Sequence, residues 1–429
     1  MNSTRPTIGY LTPTIGENVS QAIWAGVVGG ARELGANLIC FAGDAVRAAD
    51  APPIPSNVAY DLASARSLDG LVSWASALGS FLTYDQNVAF HRRYHPLPVV
   101  SLTLPLAGIP VVMIDNYQGM RDLITHLVEF HGYHRLAFMQ GVEGHFITQE
   151  RYKSYVDTLS VYDIYLDPDL VTTPGAFDVP TGVRGIQQLL DERKLRPGVD
   201  FDAIVTATDL IGVGALDELQ KRGIRVPEET ALVGFNNRIE GRFATPSLTS
   251  VRLPFYQQGY RAVEHVLALI AGEQVPEQLA LPAKLRVRQS CGCLPPAVTR
   301  AAAGILHTSL RGEENETFET ALAARRDVIV AEMIEEAETS AGVLHPLWAE
   351  SLLDVFAADV TGAEKEGAFL RELDLLLSEI MSAAGRVRDM QDVVSVLRRH
   401  ILPCFDEAAM ERLFRAQDLF EQARVLIGE

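Results

Sequence analysis

The sequence has 429 residues, a length typical of two or three domains rather than of a single core. Hydrophobic residues make up 48% and charged residues 21%, as in globular proteins, and the net charge of −18 disfavours unassisted binding to nucleic-acid phosphates. The N-terminal letters MNSTRPTIGYL show no apolar run behind a positive charge, and no stretch of about eighteen apolar residues follows. We therefore expect a cytoplasmic protein that has no membrane contact.

Up to about residue 290, short apolar runs alternate with amphipathic segments. The predicted strands are Thr7–Leu11, Asn37–Phe41, Gly70–Ser73, Pro98–Ser101, Val111–Ile114, Arg135–Met139, Ala203–Thr206 and Ala231–Phe235. Between them the spacing predicts helices over Ser20–Leu34, Met120–Glu129, Thr181–Arg193 and Gly212–Arg222. This alternation predicts an α/β fold with two doubly wound parallel-sheet lobes and an interlobe cleft, where ligands bind outside the carboxyl ends of the strands.

The pattern changes after Cys291-Gly292-Cys293-Leu294-Pro295-Pro296, where helical spacing replaces the strands. The apolar faces of four helices contain Phe318, Leu322, Ile329 and Met333; Leu352, Phe356 and Val360; Leu373, Leu377 and Ile380; and Val394, Leu397 and Ile401. An all-α C-terminal domain is expected here. The last helix has a seam of Leu413, Ala416, Phe420, Ala423 and Ile427, which fits equally an ordinary bundle helix or a coiled-coil connector cut at Glu429.

The segment Asp202–Glu264 contains the most specific motifs, with the letters TATDLIG, RGIRVPEETALVGFNN and TPSLTSVRLP in that order. Upstream stand Asp115-Asn116 with Gly119, the letters HGYHRLAF over His131–Phe138, and Glu150-Arg151. In these motifs the chain resembles the effector domain of the lactose-repressor/galactose-repressor family, over roughly residues 6–291. Several long motifs recur in the family's order, so the resemblance is specific.

The resemblance implies a type I periplasmic-binding-protein fold, two lobes joined by three crossovers, an effector in the cleft, and homodimers. It implies lobe 1 over about 6–131 and 253–282, lobe 2 over about 132–252 and 283–291, an effector domain over 1–293, and a helical signalling domain over 294–429. Family repressors begin with a helix-turn-helix headpiece, for which no room precedes Thr7. We therefore expect no direct DNA binding by this chain, and an arrangement similar to the sensory front end of bacterial signalling proteins that drive a downstream module.

The resemblance also implies ligand-binding residues in the second lobe. Arg151 stands where the family places a guanidinium in the cleft, and its planar fork suits hydroxyls or a carboxylate. Asp209 is either an effector ligand or only a helix cap. The expected ligand is a sugar or a sugar-like molecule, such as a sugar acid or a nucleoside-like compound. Thr208 and Asn236 replace a family Asn and Asp, which makes a plain hexose less certain and leaves room for an acidic or differently substituted ligand.

Five further positions are candidates for the same cleft. Ser20 and Gln21 open the first predicted helix, where backbone N–H groups favour a polar or anionic group. Trp74 and Ser76 follow the third strand. Trp74 and Phe146 are candidates for stacking on a ligand, although core packing is the commoner role of such rings.

Neither a metal nor a cofactor is expected. Cys291 and Cys293 could supply two thiolates, but no second Cys or His pair lies near them in sequence, which favours packing at the domain junction. His126, His131 and His134 are interpreted as ordinary packing residues. Because no nucleophile elbow, Walker loop or His-Glu-x-x-His motif is present, the chain is not expected to be an enzyme.

Three functional hypotheses remain. In the favoured one, the chain is a sensor that closes on a small polar ligand and transmits closure to its C-terminal helices. The second is an effector-free regulator that acts through protein partners, and the third is a solute-binding protein for transport.

Overall fold

The computed structural model describes residues 5–16, 18–47, 52, 54–294, 317–337, 344–345, 347–362, 367–382, 387, 389–405 and 410–428. The chain forms two compact units, Met1–Cys293 and Leu294–Glu429. Pro295 and Pro296 of the junction, and Glu429 at the end of the predicted seam, lie outside the described residues. In the described part of the chain, no helix combines the length and the apolar composition needed to cross a bilayer.

The first unit contains two sheets. In chain order their strands are β1 (Thr7–Thr12), β2 (Asn37–Ala42), β3 (Gly70–Ser73), β4 (Val99–Leu102), β5 (Val111–Ile114), β6 (Leu136–Met139), β7 (Ala203–Thr206), β8 (Ala231–Phe235), β9 (Thr249–Arg252), β10 (Gln278–Leu281) and β11 (Lys284–Arg286). The first sheet, β10-β5-β4-β3-β1-β2, is parallel throughout. The second, β11-β9-β8-β7-β6, is parallel except that β11 runs antiparallel to β9. The predicted α/β class with two parallel-sheet lobes is confirmed.

All eight strands predicted from the sequence are present, and their ends move by one residue at most. Sequence periodicity did not reveal β9, β10 or β11. The two outer strands have exposed and half-buried residues rather than a buried run, and β11 has only 3 residues. Such edge strands have little hydrophobic pattern, because one side of each meets solvent.

The helices of the first unit cover both sheets. They are α1 (Asn18–Glu33), α2 (Ala75–Leu78), α3 (Tyr84–Arg92), α4 (Asn116–Thr125), α5 (Phe146–Val161), α6 (Val179–Gln187), α7 (Asp209–Lys221), α8 (Ile239–Arg242) and α9 (Phe255–Ile270). α4 and α6 each continue as a π-helical turn, over His126–Phe130 and Gln188–Glu192. α1 and α9 pack so closely that a Cβ on Gly26 would lie 1.9 Å from the carbonyl oxygen of Tyr256.

The first crossover between the lobes lies earlier than the expected boundary at residue 131. Met120 and Leu123 of α4 share a buried core with Phe138 and Val233 of the second sheet. α4 packs its apolar face against α5, β9 and β11. The chain therefore leaves the first lobe after Ile114, and α4 belongs to the second lobe.

The second unit is a helical bundle with its own core. Its described helices are α10 (Phe318–Glu336), α11 (Trp348–Thr361), α12 (Ala368–Ser382), α13 (Asp389–Ile401) and α14 (Met410–Gly428). The four apolar faces predicted from the sequence contribute to one buried cluster. Fully buried Asp359 accepts a hydrogen bond from the backbone N–H of Phe369 at 2.8 Å, which ties α12 to α11.

The seam on the last helix is part of that core. Ala416, Phe420, Ala423 and Ile427 are buried, and the Phe420 ring stacks on Phe356 with centroids 4.7 Å apart. These side chains are covered by the bundle itself, so they are not free to form the coiled-coil connector considered from the sequence. α14 is an ordinary bundle helix over its described length.

Candidate functional site

The centre of the candidate site is the guanidinium of Arg151, which projects from α5 and is only 2% exposed. Nε and Nη2 donate to Oδ1 of Asn116 at 3.1 and 2.8 Å, and Nη2 also donates to Oδ1 of Asn236 at 2.9 Å. Nη1 donates to the carbonyl oxygen of Ala207 at 2.6 Å. The guanidinium carbon Cζ lies 3.9 Å from the centroid of the Phe235 ring. The arginine therefore connects the start of α4 with the carboxyl ends of β7 and β8.

The acceptors around Arg151 are neutral oxygens, so none cancels its charge directly. Burial lowers the pKa of Arg151 below its ordinary value, and nearby Asp209 and Glu150 oppose that shift. Four of the five N–H groups of the guanidinium have an acceptor, and the second hydrogen of Nη1 has none among the described residues. This arrangement would favour an added hydroxyl or anionic group beside Nη1.

Asn116 was not among the predicted site residues, although its motif was noted. Its side-chain Nδ2 donates to the carbonyl oxygen of Ile114 at 3.0 Å, which turns Oδ1 toward Arg151. The signal in the sequence was the Asp115-Asn116 pair directly after β5. Asp115 caps α4 by accepting from the N–H of Gln118 at 2.8 Å, and the amide that follows it reaches the arginine.

Asn236 lies at the end of β8, as its position in the motif predicted. It adopts a φ of 100°, in a region that asparagine tolerates better than most residues. Its N–H donates to the carbonyl oxygen of Val251 at 2.9 Å, and its side chain binds Arg151. The structure therefore brings these two predicted residues together.

Asp209 has a structural environment of its own. It is the first residue of α7, after Thr208 at the N-cap, and its carboxylate is fully buried. Oδ1 accepts from the Ser250 hydroxyl at 2.6 Å, and Oδ2 accepts from the backbone N–H of Arg238. Burial raises the pKa of Asp209 to about 7, against the lowering effect of these two hydrogen bonds.

Three polar atoms close to this cluster in the chain are buried without a hydrogen-bond partner among the described residues. They are the hydroxyls of Thr148 and Thr208 and one carboxylate oxygen of Glu150. Thr148 lies one helical turn before Arg151 on the buried face of α5, and Thr208 follows the carbonyl that binds Arg151. Burial raises the pKa of Glu150 to about 7. Buried polar atoms without partners are rare in folded proteins and often mark the place of a ligand or water.

The remaining predicted residues lie apart from this cluster in the chain topology. Ser20 is buried and Gln21 exposed at the start of α1, after β1. Trp74 is half-buried and Ser76 buried at α2, after β3 of the first lobe. Phe146 is the half-buried first residue of α5, in the second lobe. The first-lobe positions follow the carboxyl ends of β1 and β3, where ligands bind in open α/β sheets.

Two lobes with largely parallel sheets, and polar side chains after the carboxyl ends of the strands, have the arrangement in which open α/β sheets bind ligands. Residues 124–291 match the family model described as a periplasmic binding protein-like domain. The chain is 29% identical over 236 residues to the HTH-type transcriptional repressor CytR of Escherichia coli strain K12, covering 55% of this chain and 66% of that protein. It is 33% identical over 190 residues to the HTH-type transcriptional regulator CelR of Thermobifida fusca, covering 44% of this chain and 54% of that protein.

Solved structures give the same result for the fold. The transcriptional regulator CelR–cellobiose complex superposes with a TM-score of 0.55 and 27% identity, over 67% of this chain and 85% of that one. The lac repressor dimer bound to operator and an anti-inducer gives a TM-score of 0.57 at 21% identity, over 67% and 95% of the two chains. These likenesses show that the chain shares the fold of the effector domains of lactose-repressor/galactose-repressor type. The curated relatives named here are matched over two thirds of their length or less.

Proposed function

We propose that the first unit senses a small polar effector in the cleft between its lobes and that the helical second unit passes the resulting movement on. The observation that carries the proposal is the buried Arg151 fork, which joins the first crossover to the strand ends of the second lobe. A ligand that binds better to the closed arrangement of the lobes shifts the protein toward it.

The ligand class follows from the chemistry of the site. A buried cation among amide and carbonyl oxygens gains most from a partner with negative charge or several hydroxyls. The hydroxyls of Thr148 and Thr208, which have no hydrogen-bond partner in the described part of the chain, can donate to or accept from such a ligand. A sugar, a sugar acid or a nucleoside-like molecule fits these groups, and the similarity to a regulator solved with cellobiose supports a sugar-like ligand.

For the output, we propose that the chain works as a homodimer and acts through its helical unit on a downstream signalling module. The net charge of −18 opposes direct contact with DNA phosphates. Enzymatic activity is not part of this function. The named relatives are transcriptional regulators, so a DNA mobility-shift assay on the full chain tests the output separately from the ligand.

The test is a calorimetric binding screen of the full chain against sugars, sugar acids and nucleosides, repeated with Thr208→Val. This variant removes a hydroxyl that has no hydrogen-bond partner among the described residues, so the fold should keep its melting temperature. We expect ligand affinity to fall by about tenfold, the loss of one hydrogen bond of about 1.4 kcal/mol. Thr173→Val, on the exposed surface of the same lobe, is the matched control and should bind as the wild type does.

A second candidate is the effector-free regulator that acts only through protein partners. It is favoured by the intramolecular partners that Arg151 and Asp209 already have. If a folded wild type binds nothing in the screen, the second candidate replaces the first. If it binds a ligand with equal affinity in Thr208→Val and the wild type, then Thr208 is not in the site.

A further inference from the structure

Four metal-binding side chains meet at the end of the first unit, away from the effector candidates in sequence. They are His126 and His131, from the π-helical turn after α4 and the residue that follows it, and Cys291 and Cys293. One ligand atom from each lies within 4.8 Å of every other. Spacing in the sequence did not connect them, because about 160 residues separate the two histidines from the two cysteines.

The distances are those of a tetrahedral site. With zinc–sulfur bonds of about 2.3 Å and zinc–nitrogen bonds of about 2.05 Å, tetrahedral angles place sulfur and nitrogen about 3.6 Å apart. Nε2 of His126 lies 3.6 Å from Sγ of Cys291 and 3.6 Å from Sγ of Cys293. Nε2 of His131 lies 3.3 Å from Sγ of Cys293. A small movement of the side chains would place all four atoms around one ion.

The local backbone explains how each pair converges. A π-helical turn brings residues five apart nearer to one face than an α-helix does, and the rings of His126 and His131 lie 5.0 Å apart. Gly292 has a φ of 102°, a conformation that favours glycine, and it turns the chain between the two cysteines. The π-helical turn and the glycine turn are both local features, and each brings two of the four ligands together.

Surrounding groups fix the orientation of the four side chains. The His131 ring stacks on Tyr133 with centroids 5.2 Å apart, and the Tyr133 hydroxyl donates to the carbonyl oxygen of Cys291 at 3.4 Å. The Thr249 hydroxyl lies 3.1 Å from Sγ of Cys291. Cys291 is fully buried, and the other three ligands are half-buried. Outer contacts of this kind hold the ligands of metal sites in position.

We propose that His126, His131, Cys291 and Cys293 bind one Zn²⁺ ion in a closed structural site. Two thiolates and two imidazoles in a tetrahedral arrangement are a donor set that zinc prefers. Four protein ligands leave no open position for a substrate, so the ion has a structural role. The two thiols lose one proton each when the ion binds, and no change of oxidation state is involved.

On binding, the ion takes the place of the proton on each thiol, and the two imidazoles each offer a ring nitrogen. Zinc readily deprotonates a coordinating thiol.

The bound ion would link the C-terminal end of the first unit to the π-helical turn that follows α4. Cys293 is the last residue of the first unit, and α4 with its π-helical turn directly follows the crossover from β5. With the ion bound, movement of α4 during cleft closure would be transmitted to the residue at which the chain leaves the domain. The zinc proposal does not depend on the identity of the effector, and either can fail alone.

The test uses the full chain, purified without chelator or affinity-tag histidines under reducing conditions. We expect about one zinc per chain by inductively coupled plasma mass spectrometry. Replacement by Co²⁺ should give the thiolate-to-cobalt charge-transfer band and the intense visible bands of tetrahedral coordination. This spectrum needs no variant, so it does not depend on how a mutant folds.

Cysteine variants with matched controls assign the ligands. Cys293→Ser and His126→Ala should lose the bound metal and the cobalt spectrum, whereas Cys40→Ser, in β2, should keep both. The proposal is overturned if the reduced wild type binds no Zn²⁺ or Co²⁺ at micromolar concentration, or if the variants keep the spectrum. A Cys291–Cys293 disulfide in the protein isolated from cells, with no metal, would overturn it in favour of a redox pair.

Discussion

Replacing Arg151 with methionine tests whether its guanidinium is a structural part of the second lobe. Arg151→Met keeps an apolar stem of similar length and removes the donor from three acceptors, buried Asn116 Oδ1, the buried Ala207 carbonyl and half-buried Asn236 Oδ1. Each buried acceptor without a donor costs about 1–3 kcal/mol. The loss of a buried charge returns part of that sum, because the charge no longer has to be desolvated.

The expected net loss in the free energy of unfolding is therefore about 3 kcal/mol. For a domain of this size, 1 kcal/mol corresponds to about 2 °C, so the melting temperature should fall by about 6 °C. Differential scanning calorimetry of the full chain measures it. Arg196→Met is the matched control, since its side chain is 69% exposed and forms a surface ion pair with Asp200. A fall of less than about 1 °C in Arg151→Met would refute the structural role given to the guanidinium.

Three further changes test other parts of the molecule. Burial raises the pKa of Asp209 to about 7. Its ionisation should therefore lower the free energy of unfolding by up to about 4 kcal/mol as the pH rises from about 4 through this value. Asp209→Asn should flatten this decline in denaturant titrations, and an unchanged slope would contradict it. Phe420→Ala should cost the helical unit about 3–5 kcal/mol, whereas Phe414→Ala, 58% exposed on the same helix, should cost about 0.5 kcal/mol or less in thermal unfolding. Gly26→Ala should lower stability by about 2 kcal/mol or more, since its Cβ meets a carbonyl oxygen of α9, and chemical denaturation measures it; equal stability would mean that the helices separate freely.

The strands could be predicted because buried parallel strands have continuous apolar runs. β3 and β8 are buried at every residue, and their bounds were found without error. β10 and β11 lie at sheet edges with half-exposed side chains, and a pattern of period two is too short to detect there. The fold class could be predicted from the buried strands alone.

The effector candidates were predicted less evenly. Arg151 and Asn236 do meet, because motifs at strand ends keep their places in the fold. Asn116 was missed, since only the contact shows that its amide reaches Arg151. The histidine and cysteine cluster was missed for a different reason. Residues far apart in sequence meet only through the tertiary fold, and spacing rules detect only local pairs.

The topology of the two sheets also constrains how the chain can fold during synthesis. The first lobe needs α9 and β10 from Phe255–Ile270 and Gln278–Leu281, which are made only after four of the five strands of the second lobe. Most of the second lobe, from β6 to β9, is thus inserted between β5 and α9 of the first lobe, while β11 of the second sheet follows β10. While the ribosome makes residues 116–252, the sheet face that α9 will cover remains bare and prone to association. Neither sheet is complete until β10 and β11 have been made, so both lobes should finish folding late in synthesis.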